Sequence, residues 1–161
     1  LLNNSDIIKN NLSEPLEIPQ KSSVLFPKIQ GKVPLIYSSY KWRYLADFWK
    51  IFFNETSKIP AFTNYFPEAG HNEIISVTSQ FFPVILQDPD EDSRDLKKLN
   101  NFSGFLKSKN IEHEIIELEG KTNLEKILKN YNLIIQIAND LAQTLGVDPF
   151  ETKAIEEFKK L

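Results

Sequence analysis

Two side chains in one stretch of this 161-residue chain, Glu55 and His71, are of the types that move protons near neutral pH. They lie sixteen positions apart in FNETSKIPAFTNYFPEAGHNE, residues 53–73, and His71 is one of only two histidines. A positioned carboxylate can take a proton from a carbon next to a carbonyl, and an imidazole can pass one to or from a hydroxyl. A base and an acid/base of these kinds are the two groups that an aldose–ketose isomerisation needs.

Each group also has a plainer reading. Glutamate is mostly exposed, so Glu55 alone reads as a solvated carboxylate at a helix end, with Lys58 as a surface partner. That end of a helix mildly disfavours a negative charge, which gives the placement some interest without forcing a role. His71 follows Gly70 and reads as the start of a helix whose free amides Asn72 or Glu73 satisfy. A helix start favours a neutral imidazole able to transfer a proton, and Glu73 is near enough in sequence to orient it.

Other candidates carry less. His113, between Glu112 and Glu114, reads as a structural residue of a strand edge. Asp88, Asp90, Glu91 and Asp92 lack the glycine and distal glutamate of a calcium loop and read as a turn of solvated charge. Ser38 and Ser39 follow a strand, where many α/β proteins hold phosphate, but no glycine accompanies them to form a cradling loop. Trp42, Trp49, Phe52 and Phe53 recur at helical spacing and read as core.

The elements that must position these residues alternate along the chain. Residues 1–20, with Pro15 and Pro19, read as an amino-terminal arm or linker, and residues 21–161 as one domain. VPLIYSS (residues 33–39) reads as a buried strand, Tyr40–Glu55 as an amphipathic helix, and Ala61–Tyr65 as a second strand. A helix from about His71 to Thr78 precedes the strand Phe82–Gln87, and another follows the acidic loop through Phe105. His113–Leu118 reads as the fourth strand. Asn123–Leu145 is a long helix ended by Gly146, and a last helix spans about Pro149–Leu161. Strands alternating with helices predict a three-layer α/β/α sandwich with a parallel sheet, of flavodoxin-like character.

Composition narrows the class. Hydrophobic residues make up 41% and charged residues 25%, ordinary values for a globular domain. Nineteen basic residues are scattered among 22 acidic ones, for a net charge of −3, which gives no footprint for nucleic acid or an anionic membrane. No apolar run has the length of a membrane-spanning helix. Without cysteine there is no disulfide framework, thiolate zinc site or cysteine nucleophile, and a cytoplasmic setting is the default expectation. No metal or other cofactor is expected. The chain starts at Leu1 and has no methionine, so it reads as a processed chain or an excised fragment.

Several pieces, in order, resemble the carboxy-terminal half of the bifunctional phosphoglucose/phosphomannose isomerases, which are built from two sugar isomerase (SIS) domains. VPLIYSS resembles the strand that opens the second SIS domain. The tryptophan-containing helix ends in Asn54-Glu55-Thr56-Ser57-Lys58, similar to the family's Asn-Glu-Asn-x-Lys phrase, with Thr56 in place of the second Asn. Pro67-Glu68-Ala69-Gly70-His71-Asn72-Glu73 resembles its Pro-Glu-x-x-His-Asn-Glu signature. Gly146-Val147-Asp148-Pro149, followed by Ile155 and Phe158-Lys159, resembles its closing helix.

The resemblance implies that Glu55 is the base that moves a proton between C1 and C2 through a cis-enediol. It implies that His71 assists opening of the sugar ring, acting in the site of a neighbouring subunit of a homodimer. Lys159 would lie near the sugar oxygens, with Lys160 as the alternative, and Thr152 would help the site accept both C2 epimers. Substrates would be glucose 6-phosphate, mannose 6-phosphate and fructose 6-phosphate. The family's phosphate loop and arginine belong to the first SIS domain, which has no matching segment here, so this chain alone is expected to be inactive. Two other readings remain open. One is a non-catalytic SIS module that binds sugar phosphate or mediates dimerisation; the other is a flavodoxin-like signalling or nucleotide domain.

Overall fold

The computed structural model describes residues 21–161, with side chains from residue 24 onward. The arm expected over residues 1–20 lies outside the described residues. The elements run α1 (Lys21–Ile29), β1 (Val33–Ser39), a 3₁₀ turn (Tyr40–Trp42), α2 (Arg43–Glu55), β2 (Phe62–Phe66), α3 (Ala69–Asn72) and a second 3₁₀ turn (Glu73–Ile75). They continue with β3 (Phe81–Gln87), α4 (Ser93–Ser108), β4 (Glu114–Glu117), α5 (Asn123–Leu145) and α6 (Lys153–Phe158).

All three strand pairings are parallel and the order is β2-β1-β3-β4. Side chains alternate across the sheet, so it feeds two cores, one on each face. On one face Ile36, Phe82, Val84, Leu86 and Ile116 meet Leu25 and Ile29 of α1, Trp49 and Phe53 of α2, and Ile134 and Ile137 of α5. On the other face Tyr37, Phe66 and Ile85 meet Ala69 of α3 and Leu99, Phe102 and Leu106 of α4. The three-layer parallel sandwich expected from the alternating pattern is the fold observed.

Local chemistry sets the helix ends. Thr122 caps α5 by accepting from the Glu125 amide at 3.1 Å, and Glu125 reaches back to accept from the Lys121 amide at 2.9 Å. Gly120, at φ +148°, lies against this first turn: a Cβ there would meet the Lys126 nitrogen at 3.0 Å. At the other end Gly146 takes the left-handed conformation, φ 67°, and closes α5.

Several boundaries differ from expectation. The helix α1 was hidden by Pro27, which sits inside it. The segment expected as a helix from His71 to Thr78 is instead a four-residue helix starting at Ala69 and a 3₁₀ turn, so His71 lies inside that helix rather than at its start. The last helix shrinks to Lys153–Phe158 because Asp148 forms a turn, accepting from the Phe150 amide through its side chain at 2.9 Å.

Candidate functional site

Glu55 is the last residue of α2, exposed, and firmly framed. Asn54 Oδ1 accepts from the Ala61 amide at 2.9 Å, and buried Ser57 donates to the Ala138 carbonyl of α5 at 2.9 Å. These two bonds tie the α2 end to the start of β2 and to the middle of α5. Lys58 takes positive φ, 57°, and its ammonium donates to two carbonyls, Glu55 at 2.5 Å and Glu151 at 2.6 Å. The expected side-chain pair between Lys58 and Glu55 is therefore a backbone contact instead.

That double bond from Lys58 links the α2 end to the segment entering α6. Thr152 precedes the first residue of α6, and Lys159 follows its last. Both are exposed, and Lys159 pairs with Glu156 at 3.0 Å, while Lys160 is also exposed. The structure thus gathers Glu55 and Thr152 at the edge of the sheet where strands begin.

His71 lies elsewhere. It follows the carboxyl end of β2, on the opposite edge of the sheet. The five residues of β2 alone span about 17 Å between the two edges. One chain does not bring Glu55 and His71 together. His71 is exposed, and its amide donates to the Glu68 carbonyl at 3.0 Å.

The Glu73 carboxylate turns to the sheet and not to the His71 imidazole. It accepts from Tyr37 Oη at 2.9 Å and from Asn64 Nδ2 at 2.6 Å. Burial, reinforced by the charge and hydrogen bond of Glu73, pushes the Tyr37 hydroxyl far above the ordinary phenol range, so it remains a donor. His113 is structural, as expected: Ser103 Oγ lies 2.8 Å from its Nε2, and its Nδ1 lies 3.0 Å from the Ile111 carbonyl.

The acidic loop after β3 is the main correction. Asp88 is fully buried, not solvated. One carboxylate oxygen accepts from Lys126 Nζ at 2.5 Å and the Asp90 amide at 3.1 Å; the other accepts from Lys41 Nζ at 2.9 Å and Trp42 Nε1 at 3.1 Å. Burial alone would raise the Asp88 carboxyl, but the hydrogen bonds from Lys126 and Lys41 outweigh it and hold it below the usual carboxylate range. Buried Lys126 also reaches Asp90, at 2.7 Å, and these bonds hold its ammonium above the usual range despite desolvation.

This cluster occupies the carboxyl edge between β1 and β3. Strand order reverses there, with β2 on one side of β1 and β3 on the other, and α/β domains commonly bind ligands at such a point. Ser38 and Ser39 are also buried and spent internally: Ser38 Oγ donates to the Ser39 carbonyl and Ser39 Oγ to Glu91. Nothing in the local sequence marked Asp88 as different from its acidic neighbours, because its lysines come from residues 41 and 126. Among the described residues no cluster of histidine, cysteine or carboxylates has the makings of a metal site, and no helix is long and apolar enough to cross a membrane.

The four-stranded parallel sheet sandwiched by helices is a fold shared with solved sugar-phosphate proteins. A glucose-6-phosphate isomerase-like protein from Thermus thermophilus superimposes with a TM-score of 0.69 at 20% identity, over 86% of this chain and 46% of that one. The model of the bacterial phospho-glucose isomerase C-terminal SIS domain matches residues 19–161, and the chain belongs to that family. A bifunctional phosphoglucose/phosphomannose isomerase of Aquifex aeolicus is 28% identical over 158 residues, covering 94% of this chain and 49% of the relative. A D-glucosamine-6-phosphate 4-epimerase of Sulfolobus acidocaldarius is 36% identical over 85 residues, covering 50% of this chain and 26% of the relative. The chain spans about half the length of the first of these relatives and less of the second.

Proposed function

We propose that this chain is the carboxy-terminal half of an aldose–ketose isomerase that interconverts glucose 6-phosphate or mannose 6-phosphate with fructose 6-phosphate. Residues 21–161 form its second SIS domain, and residues 1–20 lead in from a first. Glu55 takes the proton from C2 of the open-chain aldose, leaving a cis-enediolate, and after the C2 hydroxyl proton has passed to O1 through the cis-enediol it returns its proton to C1 to give the ketose. His71 moves the proton between ring oxygen and hydroxyl that opens the sugar. Lys159, with Lys160 as the alternative, and Thr152 contact sugar oxygens, and a cation near the developing enediolate lowers the barrier to its formation. No cofactor takes part, and the protein works in the cytoplasm.

The observation that carries this reading is the framing of Glu55: an exposed carboxylate at the end of a helix pinned to β2, α5 and the start of α6. A base must be held within hydrogen-bond reach of one carbon, and a pinned helix end supplies such rigidity. Two further features shape the assembly. Asp88 fills the crevice between β1 and β3 with a carboxylate of the chain itself, so the sugar phosphate is held by the amino-terminal SIS domain. Glu55 and His71 sit on opposite sheet edges, so His71 serves a site whose Glu55 belongs to a second copy in a homodimer.

Glu55→Gln and His71→Ala in the intact two-domain protein test the proposal. Turnover should fall by at least about a hundredfold in the first, with substrate binding retained. Unchanged turnover in Glu55→Gln would leave the other reading, a non-catalytic SIS module that binds sugar phosphate or mediates dimerisation. The 161-residue chain alone should show no isomerisation.

A further inference from the structure

Tyr37 and Asn64 are direct register partners on β1 and β2, and both project toward the face that carries α3. Neighbouring parallel strands lie about 4.8 Å apart, a span that one carboxylate can bridge. Glu73 does so, taking a proton donor on each oxygen: Tyr37 Oη at 2.9 Å and Asn64 Nδ2 at 2.6 Å. The backbone on either side is tied down as well. The Ser76 amide and hydroxyl both return to the Glu73 carbonyl at 2.9 Å, and Asn64 is itself braced, its Oδ1 accepting from the Tyr65 amide at 2.8 Å.

His71 stands two residues before this clamp, in a helix of only four residues. Such a helix has too few internal bonds to hold its own orientation. Its exposed face offers His71 little packing, since the apolar contacts of the segment are made by Ala69 and Ile74. Beside the packing of Ala69, Ile74 and Val77, the carboxylate of Glu73 attaches the histidine turn to two strands at once. A half-buried, twofold charge-assisted bridge of this kind resists rotation of the turn in a way a single bond does not.

We infer that Glu73 is the positioning residue for His71, fixing the imidazole-bearing turn to β1 and β2 through the Tyr37–Glu73–Asn64 bridge. This rests on the proposed role of His71. Glu73 need not touch the substrate, and its influence reaches the reaction only through where His71 is held.

The test uses the intact two-domain protein and steady-state kinetics with glucose 6-phosphate. Glu73→Ala should lower kcat at least about tenfold with KM changed less than about twofold, since a misplaced acid/base slows chemistry more than binding. Glu73→Gln, which keeps an oxygen acceptor for Tyr37, should recover most of that loss. The double variant His71→Ala/Glu73→Ala should be no slower than His71→Ala alone, because two residues acting as one unit do not add. Amide exchange in Glu73→Ala should accelerate over residues 69–76 and not in β1 or β3. If Glu73→Ala does not fold, Tyr37→Phe keeps the core ring, removes one arm of the bridge and should lower kcat several-fold.

Wild-type kcat in Glu73→Ala, or losses that multiply in the double variant, would overturn the positioning role while leaving that of His71 intact. Wild-type kcat in His71→Ala would overturn the catalytic reading itself and the role of Glu73 with it.

Discussion

Glu55 and Asp88 show how differently two carboxylates of one chain are used. Glu55 is exposed at a helix end, whereas Asp88 has four donors and no solvent. Removing one partner of a buried ion pair strands the other, so Asp88→Ala should destabilise the fold by about 3–5 kcal/mol, measured by urea unfolding. The pH dependence has a definite sign. The Asp88 carboxyl is held below its unfolded value, so its contribution is complete above about pH 4 and disappears as pH falls through the folded pKa. Asp88→Asn should therefore flatten the acid limb of a stability–pH curve below about pH 4, and an unchanged limb would contradict the assignment. Glu91, raised chiefly by burial, works the opposite way and becomes less costly when protonated. The sequence could not separate these neighbours, because burial of one acid in a run of four depends on lysines 47 positions before and 38 after it.

At the scale of elements, the long helix α5 holds much of the molecule together. Its apolar side packs Leu133, Ile134, Ile137 and Leu141 against the sheet and α1, and its Ala138 carbonyl receives Ser57 from the Glu55 segment. Thr122→Ala removes the cap and should cost about 1 kcal/mol of stability, read as a lower urea midpoint with an unchanged slope. This helix was legible to the residue, because a helical apolar stripe and a closing glycine agree. The segments around it were legible in kind but not in extent. Strand β2 lies one residue beyond its expected start and end, and the turn after it is too short for any periodicity to show. Helix α1 escaped because Pro27 suppresses the ordinary helical signal, while burial of Leu25 and Ile29 against the same core as α5 stabilises it.

For the whole molecule, the two edges of the sheet are the decisive geometry. The proposed base stands where strands begin and the proposed imidazole where they end, so a site using both needs two copies. Complementation follows from this arrangement. Dissociating and mixing the inactive Glu55→Gln and His71→Ala proteins should yield heterodimers with one intact site each. For random pairing in a twofold dimer that restores about a quarter of wild-type activity. A mixture as inactive as its components, with subunit exchange confirmed by mass, would count against a shared site.

Residue types and their periodicity were enough to establish a parallel α/β/α sandwich and the bounds of its longest helix, and the phrases around Glu55 and His71 resembled the family to which the chain belongs. Those features are local, written in capping residues and in periods of two and 3.6. Only the folded chain revealed that the Glu73 carboxylate bonds to β1 and β2, that Asp88 is buried between Lys41 and Lys126, and that the two candidate proton carriers lie at opposite edges of the sheet. Each depends on partners far apart in sequence, brought to one place by strand register and by the reversal of strand order beside β1.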